Sequence, residues 1–157
     1  MRSIFKFHFF QSQRGDSLLE TAIAAPVLLL LTLGIVEFGR AWYLQNELAG
    51  AAQAGAIYGS QNPTDTEGME TVAKDNAPDV SSATDVSGFS ATASWGCECS
   101  TTGVASASCA SAPTCSYNVV DYVLVTVSAT YKPFVEWPGL PESIPLSEKI
   151  RMRGATQ

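Results

Sequence analysis

The chain has 157 residues, of which 46% are hydrophobic, and its formal net charge is -6. This length is enough for one modest domain and not for two. The first 14 residues hold three bases and no acid, whereas from Asp16 onward 15 acids outnumber six bases by nine. An acidic body argues against a nucleic-acid partner, because phosphates are recognised by clustered Lys and Arg.

The sequence also lacks the signatures of a catalyst. Its single histidine is His8, near the N-terminus, so the rest of the chain lacks the usual general base and the commonest metal ligand. No nucleophile-elbow, zinc-protease or phosphate-loop motif occurs. We therefore expect a protein that is not an enzyme and that needs no cofactor and no metal.

The first predicted element is an apolar helix. Residues 21–36 form an uncharged run of 16 residues, about 24 Å long at ~1.5 Å per residue. Leu18 and Leu19 extend it at the front and Phe38 at the back, so that it can reach across a hydrocarbon core of ~30 Å. Because the bases precede this run, we expect the N-terminus in the cytoplasm and everything behind the run to be exported.

The end of the apolar run has the residues of a membrane interface. Trp42 and Tyr43 suit the headgroup layer. Glu37 and Arg40 are three residues apart, so they share a helix face and can pair. All four residues are predicted to lie where the helix leaves the bilayer.

Helical character continues beyond this point with small residues. Ala51, Gly55 and Gly59 recur every four residues, which permits close approach of a helix or a sheet. The surface they make fits packing on the chain's own domain. A contact with another subunit remains the alternative, and the two can hold at different heights of one helix.

The remaining elements follow after a break at Asn62-Pro63. Thr64 and Glu67 resemble a capping box and predict a short helix over residues 65–76. Residues 81–90 are rich in Ser and Thr and are expected to form a loop, with a weak strand at 89–95. The clearest strand covers residues 119–131, where apolar and polar residues alternate.

A second half-buried strand is predicted at residues 146–153, with Glu148 out of place on its apolar face. Residues 119–131 and 146–153 are far enough apart in sequence to form a wide antiparallel hairpin.

Four cysteines lie close together, namely Cys97, Cys99, Cys109 and Cys115. An even number in an exported segment predicts two disulfides. The competing zinc site lacks its usual spacing. Cys97 and Cys99 are too close to bridge each other without strain. This leaves 97–109 with 99–115, or 97–115 with 99–109, and the sequence does not choose between them.

The segment from Arg14 to Glu20 resembles the class III signal peptide of type IV pilins and pseudopilins. In that family a basic leader ends in glycine, a membrane peptidase cuts after it, and the fifth mature residue is glutamate. The resemblance implies cleavage between Gly15 and Asp16, with Glu20 as the assembly contact that meets the freed α-ammonium of a neighbouring subunit. Without it, Glu20 would be an interfacial acid favoured by the helix dipole.

The following block looks like the start of TadE-like pseudopilins, the minor pilins of tight-adherence (Flp-type) systems. It is carried by Glu20, Pro26, the leucines at 28–31, Gly34 and residues 37–40. Residues 123–153 resemble the terminal strands of that family more loosely. The resemblance implies helix packing through Pro26 and Gly34. Its implied partners are other pilin subunits, a prepilin peptidase, the inner-membrane assembly platform and the lipid bilayer.

Together these observations predict an α+β fold with three parts. Residues 1–15 are a leader, 16–60 a transmembrane and assembly helix, and 61–157 an exported pilin-like head with an antiparallel sheet and a disulfide loop at 96–116. The predicted location is the bacterial inner membrane as a single pass, with the C-terminal domain in the periplasm or, in an assembled pilus, outside the cell. The alternative function is a permanently anchored binding or adhesion module with an uncleaved helix.

Overall fold

The computed structural model describes residues 13–106, 109, 114–115, 118–135, 139 and 141–154, with side chains from Ser17 onward. The predicted leader residues 1–12 lie outside this part of the chain. The helices are α1 (Gln13–Gln61), α2 (Thr66–Asp75) and α3 (Pro78–Ser82). The strands are β1 (Val86–Cys99), β2 (Ala105–Ser106), β3 (Val119–Tyr131) and β4 (Ile144–Arg153). The predicted α+β class is confirmed.

The chain divides into two compact units, Met1–Phe38 and Gly39–Gln157. The described part of the first unit is helical throughout. The second unit contains the C-terminal part of α1 and all other elements, and we call it the head.

Helix α1 is 49 residues long and contains Pro26 without interruption. Proline removes one backbone hydrogen bond, and a helix that long retains enough others to continue. It ends at Gln61, because Pro63 disfavours helical geometry at Asn62. The break predicted at Asn62-Pro63 is confirmed.

The sheet is fully antiparallel with the strand order β2-β1-β3-β4. Strand β3 is central, and its Val125 pairs with Ala93 of β1 and with Ile150 of β4. Strand β3 has the bounds that its alternating pattern predicts, and the predicted hairpin with the last strand is confirmed.

The core lies between one face of this sheet and buried residues of all three helices. Val123, Val125 and Val127 of β3 are completely buried, and so are Leu44 and Leu48 of α1. Burying a side chain of this size stabilises the fold by about 1.5–3 kcal/mol. The core thus holds the C-terminal part of α1 against the sheet.

Two local predictions were wrong. The residue that caps α2 is Asp65 and not Thr64, since the Asp65 carboxylate accepts a hydrogen bond from the Gly68 amide at 2.9 Å. The expected loop at 81–90 instead contains α3 and the beginning of β1. Strand β1 tolerates this composition through a register shift between Ser87 and Ser90, where Gly88 adopts a φ of 65° that suits glycine.

Candidate membrane and assembly helix

The apolar part of α1 exposes its large side chains. Leu18 and Phe38, at its two ends, are 72% and 71% exposed, and leucines, valines and isoleucines between them are exposed as well. A contiguous apolar surface of this kind marks contact with a membrane or another protein. By length and composition, α1 is one helix that can cross a membrane.

The predicted assembly contact Glu20 lies near the start of this surface and is exposed. Within the described part of the chain, no side chain forms a hydrogen bond or an ion pair with its carboxylate. The neighbouring Thr21 hydroxyl donates a hydrogen bond to the Ser17 carbonyl at 2.9 Å, so its donor is used within the helix and not by Glu20. Gly15 and Asp16, the predicted cleavage residues, lie within α1.

The predicted packing residues fall into two groups. Pro26 is exposed, and a side chain added at Gly34 would meet no described atom within 4 Å. Both positions are therefore open to another molecule.

Ala51, Gly55 and Gly59, in contrast, are buried in the head. A Cβ at Gly55 would lie 2.8 Å from the Met69 carbonyl oxygen and 3.2 Å from Val125 Cγ1. A Cβ at Gly59 would lie 2.6 Å from Met69 Sδ. Of the two alternatives for this flank, the structure shows packing on the chain's own domain.

Arg40 of the predicted membrane interface forms a two-point ion pair with the head. Its Nε and Nη2 donate to the two carboxylate oxygens of Asp85 at 3.0 and 3.1 Å. The Asp85 side chain is only 6% exposed, and the Arg40 hydrogen bonds hold the pKa of that carboxyl below its usual value. The sequence pattern predicted that Arg40 shares a helix face with Glu37; its partner Asp85 lies 45 residues away, where no local pattern indicates it.

Two more α1 side chains on the same helix face contact α3. The Tyr43 hydroxyl donates a hydrogen bond to Asp79. The Glu47 carboxylate accepts from the amides of Asp79 and Val80 at 2.8 and 3.3 Å, so it caps the start of α3. The side chain of Trp42 is 62% exposed, and Glu37 is buried.

Gln45 explains the acid on the apolar face of β4. Its Nε2 donates to Glu148 Oε1 at 2.5 Å and to the Ser147 carbonyl at 3.3 Å. The polar group is therefore satisfied where it meets α1, and β4 keeps the alternating burial that its pattern predicts.

The head has two ends along α1. Arg40, Asp85 and Lys132 meet at the first, which we call the proximal end, because the Lys132 amide donates to the Asp85 carbonyl at 2.8 Å. At the other, the distal end, Gly154 follows β4 and donates to the Asp121 carbonyl at 2.8 Å. Pro63 also lies there, since its Cγ would be 3.3 Å from a Cβ at Gly154. The two ends are about 32 Å apart along α1, at ~1.5 Å per residue.

The distal end carries the cysteines. They form the disulfides Cys97–Cys109 and Cys99–Cys115, the first of the two pairings that the sequence allows. Both bridges start from β1, and Cys97 and Cys99 are buried.

Beside the bridges, Glu98 is 5% exposed and pairs with Arg151 and Arg153 of β4. The Arg151 guanidinium also lies 4.0 Å above the ring of Tyr122. These contacts lie at the C-terminal end of β1, where the chain continues toward β2. The sequence signal that could have found them is the alternation of β4, which puts both arginines on its polar face.

One comparison with known proteins gave a match. A family model described as TadE-like protein matches residues 15–56. The match covers the apolar part of α1 and its first turns in the head, so this part of the chain is similar to TadE-like proteins. No curated protein and no solved structure matches the chain.

Proposed function

We propose that this protein is a TadE-like minor pseudopilin, a subunit that takes part in assembling or priming a Tad/Flp-type pilus through α1. The observation that carries the proposal is the exposed apolar surface of α1 between Leu18 and Phe38, with the lone carboxylate of Glu20 at its front. In this proposal the chain acts by packing and performs no catalysis.

The proposed processing leaves the helix in place. A prepilin peptidase cuts between Gly15 and Asp16, ahead of the apolar residues, whereas an ordinary signal peptidase cuts behind them. The mature chain is anchored in the inner membrane as a single pass. Its new N-terminus faces the cytoplasm, because the bases precede the apolar run, and its head faces the periplasm.

The proposed role of Glu20 follows from the cost of an unpaired charge. A carboxylate surrounded by hydrocarbon is unstable unless a cation reaches it. Cleavage creates such a cation, the α-ammonium group of Asp16, and a neighbouring subunit can bring it to Glu20. The pair sets the register of one helix against the next, while Pro26 and Gly34 lie on the part of the helix that remains free for that contact.

The first experiment is N-terminal sequencing of the protein purified from cells that contain the peptidase. We expect the mature chain to begin at Asp16. A chain that still begins at Met1 would contradict the proposal and support a permanently anchored binding module.

The second experiment compares Glu20→Gln with Glu67→Gln, an exposed acid on α2 of the head. We expect Glu20→Gln to reduce the number of pili counted by electron microscopy, whereas protease protection of the head in spheroplasts stays unchanged. Glu67→Gln should change neither. Normal pili with Glu20→Gln would rule out the registration role.

A further inference from the structure

The proximal end of the head exposes an aromatic side chain that belongs to neither the core nor α1. Phe134, in the connection between β3 and β4, is 69% exposed. It is the most exposed large apolar side chain described in the head. Lys132, two residues earlier, is exposed as well. Isolated exposed apolar residues are common, so exposure alone does not indicate a contact, and the position of Phe134 in the fold is decisive.

Phe134 is placed close to the point where α1 enters the head. With Thr84, Asp85, Lys132 and Pro133, it lines a shallow hollow. Asp85, on the wall of this hollow, is the residue that binds Arg40. Phe134 therefore shares a hollow with the residue that binds Arg40, which lies in the first turn of α1 within the head.

The length of the apolar segment determines how far the proximal end lies from the hydrocarbon core. Residues 18–38 measure about 31 Å at ~1.5 Å per residue, which matches a hydrocarbon core of ~30 Å. Arg40 follows Phe38 by two residues and lies within ~7 Å of it along the chain. A headgroup layer is roughly 5–8 Å deep on each side, so Arg40 and its partner Asp85 fall within that layer.

The chemistry of the proximal end suits this layer. Trp and Tyr rings are favoured at the boundary between headgroups and hydrocarbon, and Trp42, which is 62% exposed, lies two residues after Arg40. The apolar ring of Phe134 suits the hydrocarbon side of that boundary. The Lys132 ammonium can bind lipid phosphate, whereas the charge of Asp85 is offset by Arg40. Among the other described acids near this end, Glu37 is buried, and Asp79 and Glu47 are engaged by the Tyr43 hydroxyl and by the first amides of α3.

We propose that the segment from Lys132 to Val135 is a second membrane contact, in which Phe134 enters the headgroup layer and Lys132 binds lipid phosphate. The contact fixes the orientation of the head on the membrane, which a single helix leaves free. This inference rests on the proposed membrane span of α1. The surface from Lys132 to Val135 contacts the periplasmic leaflet. A neighbouring subunit bound to this surface instead would contradict the inference.

The test places a fluorine label, trifluoromethyl-phenylalanine, at one position at a time in the full chain. The chain is reconstituted singly into nanodiscs of phosphatidylethanolamine and phosphatidylglycerol, with gadolinium chelated to a fraction of the headgroups. Position 134 is the test, position 30 is the control for insertion, and position 104 is an exposed apolar position beside the disulfides. Strand β3 separates positions 104 and 134 by roughly 40 Å, at ~3.4 Å per residue.

We expect the fluorine signals at 134 and 30 to be lost through paramagnetic broadening and the signal at 104 to persist. A persistent signal at 134 with a lost signal at 30 would overturn this inference and leave the membrane span intact. A persistent signal at 30 would show that α1 is not inserted, which would overturn the proposed function and this inference with it.

A second arm tests the role of Phe134 itself. The label is placed at position 104 in chains that carry Phe134→Asp or the control Ile57→Asp. Both replaced side chains are exposed, so the fold should tolerate either change. Because Phe134 is proposed to fix the orientation of the head, we expect Phe134→Asp to let the distal end approach the membrane and to broaden the signal at 104, and Ile57→Asp to leave that signal sharp. An equally sharp signal in both variants would show that Phe134 does not hold the head on the membrane.

Discussion

At the scale of single residues, the contact between Arg40 and Asp85 joins α1 to the start of β1. Asp85 is nearly buried and Arg40 is one-third exposed on its side chain. A buried carboxylate is stable only while its partner remains, so the pair favours one position of the helix over the sheet. It also makes this joint sensitive to acid, because protonation of Asp85 removes the charge that Arg40 binds.

The pH dependence follows from the lowered pKa of Asp85. A carboxyl whose pKa is lower in the folded state stabilises the fold above its ordinary pKa of 3.8, and that stability is lost as the pH falls through the folded value. We expect Asp85→Asn to destabilise the head by about 1–2 kcal/mol at pH 7 and to lose less stability than the wild type between pH 5 and pH 3. Urea unfolding in detergent micelles measures both.

The control for that experiment is Asp75→Asn, which changes an exposed residue at the end of α2. It should keep the acid sensitivity of the wild type. If Asp85→Asn lost stability on acidification as steeply as the wild type, the Arg40 contact would not be the cause.

At the scale of elements, the C-terminal part of α1 can pack closely on the head because Gly55 has no side chain. The backbone of Gly55 contacts α2 and β3 so closely that a methyl group would meet the Met69 carbonyl oxygen at 2.8 Å and Ala73 Cβ at 3.1 Å. Backbone atoms do not move aside as a flexible side chain does. Gly50, on the same helix, is exposed and has no described atom within 4 Å of an added Cβ.

These two glycines form a matched pair for mutation. Gly55→Ala should destabilise the head by about 1–3 kcal/mol, since α2 must shift to admit the methyl group. Gly50→Ala should stabilise it by about 0.5–1 kcal/mol through helix propensity alone. Thermal unfolding followed by circular dichroism compares the two, and a stabilising Gly55→Ala would show that α1 does not pack this closely.

The elements also show what sequence could and could not predict. Strand β3 was predictable because Val123, Val125 and Val127 alternate with polar residues, a pattern that one buried face imposes. Helix α3 and the start of β1 were not, because Ser81 and Ser87 lie in a segment whose local preference is for loops. Pairing with β3 and capping by Glu47 override that preference, and both contacts come from elsewhere in the chain.

At the scale of the whole molecule, the two ends of the head are held by different means. The proximal end depends on an ion pair and hydrogen bonds, whereas the distal end adds two disulfides to the ion pairs of Glu98. The sequence predicted that the cysteines pair. It could not choose the pairing, since Cys97 and Cys99 share one strand and either can reach both partners until the loop is placed.

Removal of one bridge should therefore act on one end only. We expect the double substitution Cys99→Ala with Cys115→Ala to destabilise the head by about 2–3 kcal/mol, because the ring that it opens, with Cys97–Cys109 still closed, holds about ten residues. Amide hydrogen exchange should rise at Ala105 and Ser106 of β2 and stay unchanged at Lys132. An equal rise at Lys132 would show that the head opens as a single unit.

The direction of β3 has a mechanical consequence. The strand starts beside the disulfides and ends beside Lys132, whose amide binds the Asp85 carbonyl, so a tension applied between the two ends of the head pulls along the strands and not across them. In that shear geometry the hydrogen bonds that join β3 to both of its neighbours bear the load together instead of parting one by one. A head built this way resists being pulled apart from its two ends.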